Sequence, residues 1–66
     1  MNKQGTVIEN LRNARFRVEF LDDSKTLICY LSGKMRLNNI NILIGDRVEV
    51  IVEADWSNGR IIRRLR

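Results

Sequence analysis

The chain has 66 residues, which is enough for one domain with a small hydrophobic core. It carries 12 lysines and arginines against 8 aspartates and glutamates, a formal net charge of +4, with a pI of about 10.0. This balance favours a polyanionic partner, either nucleic acid or an anionic membrane surface. The chain has no histidine, and its single cysteine, Cys29, allows neither an internal disulfide nor a thiolate metal cluster. We therefore expect no enzyme, no cofactor and no metal site.

No apolar run is long enough to span a bilayer, and no signal or transit peptide precedes the first predicted strand. We therefore expect the protein to work, without a membrane, in the reducing compartment where it is made. That compartment would be a bacterial cytoplasm, or a plastid stroma if the protein is encoded in the plastid.

Five segments have the composition or the alternation of β-strands. The first is GTVIENL at 5–11, and the clearest is ARFRVEF at 14–20. TLICYLS follows at 26–32, DRVEVIVE at 46–53 and GRIIRRLR at 59–66. Because alternate side chains in these segments are apolar, we predict an all-β domain in which each strand faces a common core.

The residues between these segments are typical of turns. Asn13 can turn the chain between the first two strands, and DDSK at 22–25 suits a hairpin between the second and third. Gly45-Asp46 predicts a turn before the fourth strand. ADWSNG at 54–59 contains the Asn-Gly pair that tight turns favour, and it joins the last two strands.

The segment 33–44 does not alternate, and it is compatible with one short helical turn followed by an extended piece. A three-strand meander, a linker with a helical turn and a two-strand hairpin follow each other as in an OB-fold. This five-stranded Greek-key barrel presents its second and third strands to single-stranded nucleic acid. An SH3-like barrel is the alternative, but the helical turn after the third strand favours a single OB-fold domain over 1–66.

The outer face of the second and third strands carries two candidate RNA-binding residues. If Phe16 and Cys29 face the core, Arg17 and Tyr30 face outward. An arginine and a tyrosine can each stack on an unpaired base, and the arginine can also contact phosphate. Alternatively, Tyr30 only shields the barrel edge and Arg17 pairs with a nearby carboxylate.

The last segment is rich in arginine. By the two-residue period, Arg60, Arg64 and Arg66 share one face of the strand, and Arg63 projects from the other. Arginine matches phosphate geometry with two hydrogen bonds, which lysine cannot do. The alternative is a solvated edge strand whose charge prevents aggregation. The exclusive use of arginine favours RNA contact for all four residues.

The segment LSGKMRLNNI at 31–40 is basic and rich in amides, with Lys34, Arg36 and Asn38 as candidate RNA-binding residues. It lacks the earlier glycine and the Ser/Thr of a phosphate-binding loop, and it is too short and too polar for a membrane-binding helix. Alternatively, it is a plain connection whose amides cap the helical turn.

Two further residues are more typical of packing than of chemistry. Cys29 lies on the predicted buried side of its strand, which favours an inert thiol. Trp56 lies in the turn before the last strand, where it either covers one end of the barrel or stacks on a base. The first role is the more frequent one for a lone tryptophan.

Three stretches together resemble the translation initiation factor one family of bacteria and plastids. They are GTVIENLRNARFRVEF, LSGKMRLNNINILIGDRVEV and SNGRIIRRLR, so the similarity extends from about Gly5 to Arg66. The resemblance implies a non-enzymatic OB-fold domain that binds the small ribosomal subunit at the decoding A site and blocks premature tRNA entry. It also implies contacts with ribosomal RNA and a neighbouring ribosomal protein, and cooperation with the second and third initiation factors.

The resemblance assigns RNA contacts to residues of the basic segment, the last strand and the outer face: Lys34, Arg36, Arg60, Arg64, Arg66 and Arg17. Tyr30 stands where relatives often have histidine, which keeps a flat ring at that position. The chain departs from the family at Leu37, Asn39 and Asn41, where relatives carry basic or aromatic residues, so its basic segment is less charged. Two rivals are a single-strand RNA chaperone of the cold-shock type and a protein-interaction barrel. We expect a monomer.

Overall fold

The computed structural model describes residues 1–65, so the predicted RNA contact of Arg66 lies outside the described residues. The described chain contains five strands and one short helix. They are β1 (Asn2–Arg12), β2 (Arg15–Phe20), β3 (Thr26–Leu31), α1 (Gly33–Leu37), β4 (Arg47–Val52) and β5 (Gly59–Arg64). In this part of the chain, no helix is long and apolar enough to cross a membrane.

The strands form a closed barrel in the order β1-β2-β3-β5-β4, with β4 returning to β1. Consecutive strands pair antiparallel, whereas β3 and β5 run parallel. The helix lies between β3 and β4, where the non-alternating segment predicted it. The predicted OB-fold is therefore confirmed, and the SH3-like alternative is wrong.

The core is built from the alternate positions of the strands, because successive side chains of a strand point to opposite faces. Phe16 and Phe20 of β2 are buried, as are Val48 and Val50 of β4. The complete buried set is Val7, Phe16, Val18, Phe20, Cys29, Met35, Ile42, Val48, Val50, Val52 and Ile61. Each predicted inward face is therefore confirmed for β2, β3 and β4.

The first strand is longer than predicted, since it begins at Asn2 instead of Gly5. Its first half pairs with β4 and its second half with β2, so one strand closes the barrel. One extra residue is inserted near Ile8 and another near Leu11, relative to β2. Such bulges bend a strand and increase its twist, which a strand shared by two neighbours requires.

A bulge in β5 corrects the predicted faces of the terminal arginines. Between the pairs Ile61–Val50 and Arg63–Glu49, β5 has one residue more than β4. The alternation therefore changes phase, and Arg63 returns to the outer face that Arg60 occupies. Arg64 lies opposite the buried Val48, so the prediction that Arg60 and Arg64 share a face is wrong.

The turns agree with the sequence except at the last hairpin. Asn13 has a φ of 55° and Gly45 a φ of 97°, left-handed conformations that suit tight turns. Gly59, by contrast, is the buried first residue of β5 and has no positive φ. Its role is close packing, because a Cβ built there would lie 2.7 Å from Cys29 Sγ. The Asn-Gly pair is therefore not the turn itself, contrary to the prediction.

Candidate nucleic-acid interface

A row of side chains crosses the outer face of β2, β3 and β5. Arg15 lies directly opposite Tyr30 in the antiparallel β2–β3 ladder, and Tyr30 lies beside Arg60 in the parallel β3–β5 ladder. Residues opposite each other in a ladder project from the same face. The fold therefore places Tyr30 between two arginines on the outer face. Within residues 1–65, neither Arg15 nor Arg60 forms an ion pair.

A cleft of about 320 Å³ lies on this face, and we call it the outer cleft. Tyr30 and Gly33 line it from the β3 side, and Ile51, Glu53 and Arg60 from the β4–β5 side. Tyr30 is 41% exposed and Ile51 39%, so both offer apolar surface to a ligand. A flat ring, an aliphatic wall and a cation are the groups that bind an unpaired base next to its phosphate.

Arg17 shares the outer face but not the neighbourhood of Tyr30. Its ladder partner on β3 is Ile28, two residues away from Tyr30. Its Nε donates to Glu9 Oε1 of β1 at 2.9 Å. The pairing with a nearby carboxylate that the alternative interpretation expected is therefore present, and the RNA contact of Arg17 stays a prediction.

The helix α1 begins at a serine cap and is anchored by one buried side chain. Ser32 Oγ accepts from the backbone N–H of Met35 at 3.3 Å, and Met35 is 2% exposed. The helical turn is therefore capped by a hydroxyl at its start, not by the amides that the alternative proposed. Lys34 and Arg36 are two residues apart on this helix, so their side chains leave it on nearly opposite sides.

A second cleft, the helix cleft, lies between α1 and β5 and has a volume of about 360 Å³. Its polar rim consists of Lys34, Asn38, Arg63 and Arg64, and its floor of Met35, Ile40 and Ile62. The helix cleft therefore brings together four of the predicted RNA-binding residues. Arg36 is exposed but lines neither cleft.

Both arginines of the rim are held by other parts of the chain. Arg63 Nη2 donates to Glu49 Oε1 at 2.6 Å, across the β4–β5 ladder. Arg64 Nη1 donates to the backbone oxygen of Asn41 at 2.9 Å. The first contact pairs Arg63 with a carboxylate, whereas the second orients the Arg64 guanidinium toward a backbone oxygen.

Trp56 covers one end of the barrel, as the sequence favoured. It is half-buried and packs edge-to-face on Phe20, with ring centroids 5.6 Å apart. Lys3 Nζ and Lys25 Nζ lie 5.4 and 4.8 Å from its ring centroid. These cations cover the exposed part of the indole, so Trp56 is not arranged as a stacking platform.

Cys29 is fully buried, and burial raises the pKa of its thiol to about 12. The predicted packing role is confirmed, because Cys29 belongs to the buried core.

Among the residues of the interface that were not predicted as site residues are Arg15, Ile51 and Glu53. Arg15 alternates in phase with Arg17, so the sequence placed it on the outer face. It did not indicate which of the two lies opposite Tyr30, because that depends on the strand register. Ile51 and Glu53 lie at the two-residue spacing of an outer face, but only the barrel topology brings them near β3.

The fold and the comparisons together define a class and a family. A closed five-stranded barrel with a helix between β3 and β4 is an oligonucleotide-binding fold. The model of the family described as "Translation initiation factor 1A / IF-1" matches residues 1–66. The chain therefore belongs to this family of translation initiation factors.

Two solved structures are similar to the whole chain. The solution structure of translation initiation factor one from the Wolbachia endosymbiont strain TRS of Brugia malayi is 43% identical. Its TM-score is 0.77, and the match covers 100% of this chain and 78% of that one. YjeQ from Thermotoga maritima is 32% identical with a TM-score of 0.83. There the match again covers 100% of this chain but only 23% of that protein.

Proposed function

We propose that the protein binds the small ribosomal subunit at the decoding A site through ribosomal RNA and so blocks premature tRNA entry. It acts by occupancy rather than by catalysis, as a monomer in a bacterial cytoplasm or a plastid stroma. The observation that carries the proposal is the row of Arg15, Tyr30 and Arg60 beside the outer cleft. A base stacks on Tyr30 while the two guanidinium groups contact the flanking phosphates.

The helix cleft supplies further phosphate contacts on the other side of α1. Lys34 and Arg64 are cations on its rim, and Asn38 adds a side-chain amide that makes no hydrogen bond within residues 1–65. Arg36 extends this basic surface from the opposite side of the helix, and Arg66 adds a further positive charge after β5. Arg17 and Arg63 contribute less, since each is already paired with a glutamate.

Protein contacts accompany the RNA contacts. Leu37 is 87% exposed, and Leu43 and Ile44 are about two-thirds exposed. Exposed aliphatic side chains of this kind suit contacts with a neighbouring ribosomal protein and with the second and third initiation factors.

Co-sedimentation with small ribosomal subunits tests the RNA-binding face. Arg60→Ala removes one cation from the outer cleft, and Arg47→Ala removes one cation from the β1–β4 side of the barrel. We expect Arg60→Ala to weaken binding about tenfold, which corresponds to about 1.4 kcal/mol, and Arg47→Ala to have little effect. Equal losses of subunit binding in the two variants would contradict the proposal that one face of the barrel binds RNA.

Competition tests the position on the subunit. Chemical probing of the decoding-site nucleotides is expected to show protection by the wild-type protein and displacement of tRNA from the A site. Protection confined to a distant part of the ribosomal RNA would contradict the A-site proposal.

A further inference from the structure

The outer cleft contains a carboxylate that phosphate binding does not explain. Glu53 follows β4 directly, and its backbone N–H donates to the oxygen of Asn58, which extends the β4–β5 ladder by one pair. Alternation along Glu49, Ile51 and Glu53 therefore places the Glu53 side chain on the outer face. It lines the same cleft as Tyr30 and Arg60.

The carboxylate of Glu53 has no partner in the described part of the chain. The ion pairs of residues 1–65 use Glu9, Glu49, Asp22 and Asp23, but not Glu53. Its oxygens also accept no side-chain or backbone hydrogen bond among these residues. Two oxygen acceptors are thus available in the cleft that Tyr30 also lines.

A carboxylate repels phosphate, so its place in an RNA-binding cleft requires a different ligand group. A base stacked on Tyr30 would direct its polar edge toward the wall of the cleft. The exocyclic amino groups of cytosine (N4) and adenine (N6) are hydrogen-bond donors on this edge, whereas guanine carries the acceptor O6 there. Uracil has a carbonyl oxygen at the corresponding place, which would face the negatively charged oxygens.

We propose that Glu53 makes the outer cleft selective for cytosine or adenine, which carry an exocyclic amino group where uracil has a carbonyl oxygen. The amino group donates to the Glu53 carboxylate while the ring stacks on Tyr30 and Arg60 binds the adjacent phosphate. This inference rests on the proposed function, because it assigns a base preference to the same RNA-binding face.

The test uses hexamers of cytidine (oligo-C) and of uridine (oligo-U), because the two bases have the same shape and differ on the edge concerned. Binding is measured by NMR titration of the backbone amides of Tyr30 and Glu53, which also reports where the RNA binds. Wild-type protein is expected to bind oligo-C at least about fivefold more tightly than oligo-U, since a good base-edge contact discriminates by about 1 kcal/mol or more.

Glu53→Gln provides the decisive variant. It removes the charge and adds an amide that can donate to uracil, so oligo-U binding should strengthen and the ratio of the two affinities should fall to about one. Glu19→Gln is the matched control, because Glu19 is an exposed carboxylate on β2 that lies outside the outer cleft. It is expected to leave the ratio unchanged.

Two results would overturn the inference. One is an affinity ratio that is the same in Glu53→Gln and in the wild type, which would leave Glu53 as a general repulsive charge. The other is the absence of an oligo-C preference, or of any shift at Tyr30 and Glu53, in the wild type. The proposed function is judged separately by co-sedimentation, since subunit binding that weakens in Arg60→Ala can persist without any base preference.

Discussion

Gly59 lies where β5 passes close to two neighbouring strands. A Cβ at this position would be 2.7 Å from Cys29 Sγ and 3.1 Å from Val50 Cγ1, closer than normal packing allows. Gly33, at the start of α1, has no atom within 4 Å of the corresponding position. Gly59 is therefore needed because a larger residue does not fit, whereas Gly33 has room for a side chain.

Replacing Gly59 by alanine is expected to lower the free energy of unfolding by about 1–3 kcal/mol, because the added methyl group overpacks the core. Gly33→Ala, as the control, is expected to leave the stability unchanged or raise it by up to about 1 kcal/mol, since alanine favours the helix. Urea unfolding measures both. Equal effects at the two positions would contradict the packing role of Gly59.

Ionisation of Cys29 is expected to lower the free energy of unfolding of the protein at alkaline pH. Its thiol ionises near 9.0 when unperturbed, but burial raises the pKa to about 12 in the folded protein. The unfolded chain therefore loses this proton first, so the contribution is complete below pH 9.0 and is lost as the pH rises toward 12.

Comparison with Cys29→Ala isolates this contribution from the titration of the lysines. The difference in unfolding free energy between the wild type and the variant is expected to shrink from neutral pH to about pH 10. A difference that stays constant over this range would mean that burial does not raise the pKa of the Cys29 thiol.

At the scale of the elements, the sequence predicted the strands but not their register. Alternation in β2 and β4 indicated the buried faces, since a one-residue error would expose three core side chains. The bulge at Ile62 has no comparable signal in the sequence, because either Ile61 or Ile62 could be the buried position of an alternating strand. The faces of Arg63 and Arg64 could therefore not be derived from the period.

The same limit applies to the candidate site. Tyr30 was predicted on the outer face because Cys29 faces the core, but its neighbours depend on the length of the β2–β3 turn. That turn places Arg15, rather than Arg17, opposite the ring. The contribution of Glu53 depends on the parallel pairing of β3 and β5, a long-range contact that no local pattern encodes.

The cap of α1 gives a prediction at this scale. Ser32→Ala removes the oxygen that accepts from the backbone N–H of Met35, and we expect it to lower the unfolding free energy by about 1 kcal/mol. Hydrogen exchange at the Met35 amide should accelerate. Ser32→Thr keeps the hydroxyl, so it is expected to retain most of the unfolding free energy and the slow exchange of the Met35 amide. If Ser32→Ala and Ser32→Thr behaved alike, the cap would be excluded as a stabilising contact.

For the whole molecule, the charge distribution matters more than the net charge of +4. Lys3 pairs with Asp22 and Asp23, and this contact raises the pKa of Lys3 and lowers the pKa of Asp22. Arg17 and Arg63 are also paired. Within residues 1–65, the remaining cations of β2, β5 and α1 form no ion pairs. They are Arg15, Lys34, Arg36, Arg60 and Arg64.

The central claim is that these cations contact ribosomal phosphates, and salt dependence of subunit binding tests it most directly. Each phosphate contact contributes about −0.7 to the slope of the logarithm of the association constant against the logarithm of the salt concentration. Four contacts would give a slope of about −3. Arg60→Ala should make the slope less negative by about 0.7, while Arg47→Ala leaves it unchanged. A slope near zero in the wild type, or the same slope in both variants, would contradict the account.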